Sequence, residues 1–186
     1  MRKIIYLVHI SVDGFISGPA GEFDWPRMGP ELSAYVDELD EGVDTFLYGR
    51  VVWQMMAAFW PHAEDVADDP HVRKFAPRWR AMRKVVVSRT LPQPDDDVRV
   101  LRGEAIEEVA ALKAEPGRDI LLTGGTELAS HLAAAGLLDE WVIAVHPVVL
   151  GGGPRLFTHQ KERAGLDLVD TRTLDGRVAV LRYAAS

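Results

Sequence analysis

Ile120-Leu121-Leu122-Thr123-Gly124-Gly125-Thr126 is a short apolar run of β-prone residues, then a glycine pair, then the opening of a helical pattern. Thr45-Phe46-Leu47-Tyr48-Gly49-Arg50 repeats that construction upstream and leads into a helix expected over residues 51–59. A strand–glycine–helix junction brings the unpaired N–H groups and partial positive charge of a helix start to the carboxyl edge of a sheet. Glycine there lacks the Cβ that would hold a phosphate away. Two such junctions suit the two phosphates of a dinucleotide. Tight turns that bind nothing would use the same glycines, and neither junction has the Gly-x-Gly-x-x-Gly pattern.

Outward from these junctions, β-rich runs recur at residues 4–10, 84–87, 98–101 and 141–145, with helical segments between most of them. The alternation predicts crossover connections and a largely parallel sheet. Leu32, Tyr35, Val36 and Leu39 follow the i, i+3, i+4, i+7 spacing of a first helix that Pro30 can start and Gly42 can end. Further helices are expected over residues 104–114, with Ile106, Val109 and Leu112 spaced by three, and over residues 126–135. Gly117 and Gly136 serve as their exits. Residues 166–171 and 177–183 flank Leu174-Asp175-Gly176, whose Asp-Gly pair favours a tight hairpin, so the sheet should end mixed. Residues 59–71, acidic and punctuated by Pro61 and Pro70, read as a surface excursion.

With 47% hydrophobic residues, the 186-residue chain can build one core, and a single domain over residues 1–186 is expected. Cysteine is absent, which removes disulfides, thiolate metal sites and cysteine nucleophiles. A net charge of −7 disfavours a nucleic-acid surface. No apolar run resembles a signal peptide or reaches membrane-spanning length, so a cytoplasmic protein is expected. The six histidines show no metal-ligand spacing and read as loop or core residues, no metal is expected, and no Gly-x-Ser-x-Gly or P-loop signature occurs.

Val87-Ser88-Arg89-Thr90 sets a hydroxyl and a guanidinium at a third strand end, beside the edge where Arg50 is also expected. Arginine forks and hydroxyls suit a phosphate monoester, although a lone arginine is more often a solvated one.

Together with Ser11-Val12-Asp13-Gly14-Phe15-Ile16-Ser17, Gly49-Arg50-Val51-Val52-Trp53, Ser88-Arg89, Thr123-Gly124-Gly125-Thr126 and the run from His146-Pro147 through Gly151-Gly152-Gly153-Pro154-Arg155, the chain resembles the dihydrofolate-reductase-like superfamily. Within it the chain is most similar to the C-terminal reductase domain of the bacterial riboflavin-biosynthesis deaminase-reductase, and the resemblance spans nearly the whole chain. It implies an α/β three-layer sandwich: a mostly parallel central sheet ending in an antiparallel hairpin, with helices on both faces.

The resemblance also implies bound NADPH. Gly49, Arg50, Val51, Val52, Ser88, Arg89, Thr123, Gly124, Gly125, Thr126, Glu127 and Leu128 would bind it, with Arg50 and Arg89 near the 2′-phosphate, Ser88 beside them and Gly124 to Leu128 along the pyrophosphate. Ile16, in a closing loop from Asp13 to Trp25, would lie near the nicotinamide. Trp25, Gly152 and Gly153 would border a small-molecule substrate. Asp13 and Glu31 are the catalytic candidates. A partly buried Glu31 could hold a heterocycle and deliver a proton, whereas a helix-dipole role for Glu31 and a turn-forming role for Asp13 are the alternatives. Two departures stand out: Val145, where dihydrofolate reductases often carry a hydroxyl, and Thr123, where riboflavin-pathway reductases often carry Glu. The activity implied is NADPH-dependent reduction of a small heterocycle; 5-amino-6-(5-phosphoribosylamino)uracil is the substrate the resemblance suggests and a homodimer the assembly. Dihydrofolate reduction and NADPH binding without catalysis are the alternatives.

Overall fold

The computed structural model describes residues 1–94, 98–157 and 163–186. Eight strands form one sheet in the order β4-β3-β2-β5-β1-β6-β8-β7. They are β1 (Ile4–Ser11), β2 (Val43–Gly49), β3 (Arg83–Val87), β4 (Val98–Leu101), β5 (Asp119–Thr123), β6 (Glu140–His146), β7 (Leu166–Leu174) and β8 (Val178–Ala185). β1 to β6 pair in parallel, and β8 runs antiparallel to both β6 and β7. The central strands are covered on both faces, which is why their sequences are near-continuous apolar runs.

Helices α1 (Pro30–Gly42), α2 (Arg50–Phe59) and α4 (Pro70–Ala81) cover one face, and α5 (Ala105–Ala114) and α6 (Thr126–Ala134) cover the other. On the first face Leu32, Tyr35, Val36 and Leu39 of α1 meet Leu7, Phe46, Val142 and Ala144, all buried. On the second, Val109, Leu112, Leu128 and Leu132 pack on Tyr6, Leu47, Leu122 and Ile143. The hairpin between β7 and β8 turns at Asp175 and Gly176, whose φ values of 53° and 62° match the Asp-Gly reading.

Residues 59–71 are not a plain excursion. Trp60–His62 forms a 3-10 turn, α3 (Ala63–Val66) follows with Ala63 fully buried, and α4 begins at Pro70. Asp69 caps α4, its Oδ1 accepting from His71 N at 2.8 Å. Pro77 inside α4 breaks the helical pattern in sequence, yet Phe75 and Trp79, four residues apart, still reach the core. Under the same helices lies a buried carboxylate, Asp40: Arg78 Nη1 stands 3.6 Å from its Oδ2, and neither carboxylate oxygen has a hydrogen-bond partner. Among the described residues, no helix is long and apolar enough to cross a membrane.

Candidate functional site

Because β2 and β5 are neighbours, their two glycine junctions abut at the carboxyl edge. Gly124 and Gly125 hold φ values of 57° and 66°, and a Cβ on either would lie 3.3 or 3.4 Å from Val52 Cγ2 in the first turn of α2. Only glycine takes that backbone and that approach without cost. Gly49 in turn faces Leu128 of α6, where an added Cβ would lie 3.8 Å from the Leu128 Cβ.

The junctions open on a groove of about 540 Å³ that brings together Gly49, Arg50, Val51, Val52, Ser88, Arg89, Gly125, Glu127 and Leu128. Ser88 Oγ accepts from the Leu91 and Thr90 amides at 3.0 and 3.3 Å, so both its lone pairs shape the turn and its hydroxyl hydrogen remains to donate. That turn sends Arg89 outward beside the exposed Arg50. Thr123, Gly124, Thr126 and Ile16 lie outside the groove's lining. The Gly124 amide donates to Leu7 O at 3.2 Å, Thr126 is buried at the base of α6, and Ile16 packs on the second core face. A smaller cleft of about 310 Å³ between α1 and α4 touches no strand end.

On the other side of β5, the segment after β1 is stitched to the segment after β6. Asp13 Oδ1 and Oδ2 accept from the amides of Leu150 and Gly151 at 3.1 and 2.8 Å. Ile16 N donates to Pro154 O at 2.9 Å, and Phe15 pairs with Arg155. A Cβ on Gly153 would lie 2.1 Å from Ser17 O, and one on Gly152 3.2 Å from Pro19 Cγ. Hydrogen bonding from Ser11, with help from the two amides, holds the Asp13 carboxyl down to about 2. Asp13 is therefore ionised at neutral pH with both oxygens engaged: it anchors a loop and has no proton to give.

At the ends of β1 and β6, on the α1 face, His9 Nδ1 and His146 Nε2 share a hydrogen bond of 2.8 Å. Trp25 meets His146 edge-on at 5.5 Å, and Phe23 meets His9 at 6.4 Å and Trp25 at 5.4 Å. His146 is 1% exposed, and its Nδ1 and the Trp25 Nε1 are both buried without a partner. Burial and the adjacent His146 push His9 down to about 3, and burial with Arg177 nearby pushes His146 down to about 4. Both rings are neutral at physiological pH.

The matching family model is described as the RibD C-terminal domain and covers residues 2–180. The chain belongs to the RibD C-terminal domain family. YyaP of Bacillus subtilis (strain 168) is 37% identical over 182 residues, which span 98% of this chain and 94% of that one. A Shewanella sp. PV-4 structure provisionally assigned to riboflavin biosynthesis superposes with a TM-score of 0.77 at 23% identity, over 100% of this chain and 99% of that one. Dihydrofolate reductase from Enterococcus faecalis, solved with NADP(H), gives 0.67 at 14% identity over 99% and 96%. The fold is dihydrofolate-reductase-like.

In this RibD C-terminal domain Glu31 is exposed, not partly buried. Its Oε2 accepts from the Asp175 amide, while the Asp175 carboxylate accepts from the amides of Glu31 at 2.9 Å and Leu32 at 3.1 Å. α1 has no capping side chain of its own, so the hairpin turn caps it from across the fold. Val145 packs on the second core face, away from α1; the neighbours that share a face with α1 are Ala144 and His146. Val145 is thus no measure of a missing hydroxyl beside Glu31.

Sequence reasoning missed part of the groove wall, Gly103, Glu104 and Ile106, although Gly103 between β4 and α5 repeats the strand–glycine–helix signal. It also left His9 and His146 as plain loop or core residues. Each ends an apolar strand, but nothing in the sequence makes β1 and β6 neighbours. His159 lies outside the described residues. Among the described residues no cluster of His, Asp and Glu could hold a metal.

Proposed function

We propose that this chain is an NADPH-dependent reductase of a small planar heterocycle. The observation that carries the reading is the convergence of Arg50, Ser88 and Arg89 with the glycine junctions on one groove at the carboxyl edge of the sheet. Trp25 and the two histidines lie farther along that edge, at the ends of β1 and β6. The residues fit the cofactor: α2 and α6 start on bare glycines, with N–H groups free to meet pyrophosphate, and two guanidiniums with one hydroxyl hydrogen suit a 2′-phosphate. NADPH, when bound, supplies hydride from C4 of its nicotinamide. The chain aligns the reactants, and the loop carrying Phe23 and Trp25 keeps water from them.

The family membership supports 5-amino-6-(5-phosphoribosylamino)uracil as the first substrate to test, that pyrimidine being named for the Thermotoga maritima deaminase/reductase of the same fold. Dihydrofolate reduction is less supported, because Glu31 is held by the hairpin. Pairing of two copies through the exposed β7 edge, where Leu168 and Val169 face solvent, belongs to the same reading and is checked by sedimentation velocity.

Tryptophan quenching on titration with NADPH and then NADH tests the proposal. NADPH should bind more tightly, and Arg50→Ala and Arg89→Ala should each erase about tenfold or more of the preference, as expected for a charge-assisted phosphate bond. Absence of binding by either cofactor refutes it. Binding without NADPH oxidation across pyrimidines and pterins would favour a non-enzymatic binder.

A further inference from the structure

Hydride transfer to a C=N or C=O bond moves the π electrons onto the heteroatom, which must then take a proton. Asp13 gives both carboxylate oxygens to backbone amides, and the exposed Glu31 is tied through its Oε2 to the Asp175 amide of the hairpin turn, so neither carboxyl is placed to supply it. We infer that His146, fed through His9, hands the proton to the substrate heteroatom. The inference rests on the reductase reading and names the acid that reading lacks.

One hydrogen lies between His9 Nδ1 and His146 Nε2, and this fixes the tautomers of both neutral rings. If His9 Nδ1 carries it, His146 has its own hydrogen on Nδ1 and His9 Nε2 is bare. If His146 Nε2 carries it, His146 Nδ1 is bare and His9 has its hydrogen on Nε2. The two outer nitrogens are therefore always one donor and one acceptor, and shifting protons along the pair exchanges them. The pair passes a proton from end to end with no net charge on either ring at the start or the finish.

The ends lie at different depths. His9 is half-buried, whereas His146 is 1% exposed with Nδ1 unpartnered, beside the equally unpartnered Trp25 Nε1. A buried polar atom without a partner is uncommon and calls for an explanation. A substrate heteroatom that reaches these two donors when the segment carrying Trp25 lifts from His146 supplies one for both.

The step balances as follows. Hydride adds to the substrate carbon and the heteroatom takes the Nδ1 hydrogen of His146. His146 Nε2 then takes the hydrogen of His9 Nδ1, and His9 Nε2 takes one from water. Water returns the pair to its first tautomer after product leaves. Burial, the ring contact and Arg177 all oppose a standing charge here, so the fitting substrate presents an uncharged planar edge.

The test uses histidine-¹⁵N-labelled full-length protein without cofactor, as wild type, His9→Phe and His146→Gln. At neutral pH each wild-type ring should show one protonated and one bare nitrogen, with a slowly exchanging, downfield-shifted shared hydrogen that both variants lose. NADPH affinity, measured on the same samples, should be unchanged. Turnover of 5-amino-6-(5-phosphoribosylamino)uracil with NADPH should lose about 100-fold in kcat in His9→Phe with little change in KM, the scale of general-acid catalysis. Rings that titrate separately near about 6.5, or a His9→Phe enzyme with wild-type kcat, overturn the relay. A wild-type protein that binds no NADPH instead sinks the reductase reading, whatever the rings show.

Discussion

Asp175 sits in a two-residue turn with φ 53° and also receives the first two amides of α1, 144 and 143 positions away in sequence. Asp175→Gly keeps the turn, since glycine accepts positive φ, and removes the cap. An N-cap side chain contributes about 1 kcal/mol, and a carboxylate at a helix start adds about 0.3–1 kcal/mol from the dipole. The flexibility of glycine in the unfolded chain costs roughly 0.5 kcal/mol more. The sum is about 2 kcal/mol, or a Tm roughly 4–8 °C lower for a domain of this size. Asp175→Asn tolerates the same φ and still accepts one bond, so about half that loss is expected. Urea denaturation with parallel calorimetry on the three proteins measures both. If Gly and Asn variants both lie within about 0.5 kcal/mol of wild type, the range of ordinary surface substitutions, Asp175 is a turn residue only and the clasp on α1 contributes nothing.

Asp40 is fully buried with its carboxyl pushed up to about 7 by burial, against an ordinary 3.8, so the folded state binds the extra proton and stability falls as pH rises from about 4 to about 7. Asp40→Asn should flatten that slope and stabilise the protein at pH 8 by on the order of 2–4 kcal/mol in urea melts; a less stable variant at pH 8 would overturn this account. Gly153→Ala drives a Cβ into Ser17 O and should cost about 3 kcal/mol, whereas Gly151→Ala, at φ 73° with open space around it, should cost about 1 kcal/mol; equal Tm values would refute the clash. Glu31→Ala should lower stability by no more than about 1 kcal/mol and leave NADPH titration unchanged, while a lost cofactor response would return Glu31 to the site.

Much of the architecture is legible because it is written in local periodicity. Leu32, Tyr35, Val36 and Leu39 mark α1 whatever they pack on, and Asp175-Gly176 marks the hairpin because few residue pairs accept positive φ twice. The groove was legible for a related reason: each glycine junction is a local feature, and parallel α/β topology sends all of them to one edge. α4 was not, because Pro77 interrupts its pattern and the burial of Phe75 and Trp79 compensates only in the folded chain.

The sequence by itself determined the strands, four of the helices, the turn chemistry and which strand ends carry glycine, hydroxyl and guanidinium. Each of those depends on residues within a few positions of one another. Only the tertiary structure decided that Asp175 caps α1, that Asp13 clamps the Leu150–Gly151 amides, that Val145 faces away from α1, and that His9 and His146 share a hydrogen bond. All but the facing of Val145 are pairings between residues more than 130 positions apart; all four are created by the order of strands in the sheet, and local propensity holds no record of which strands become neighbours.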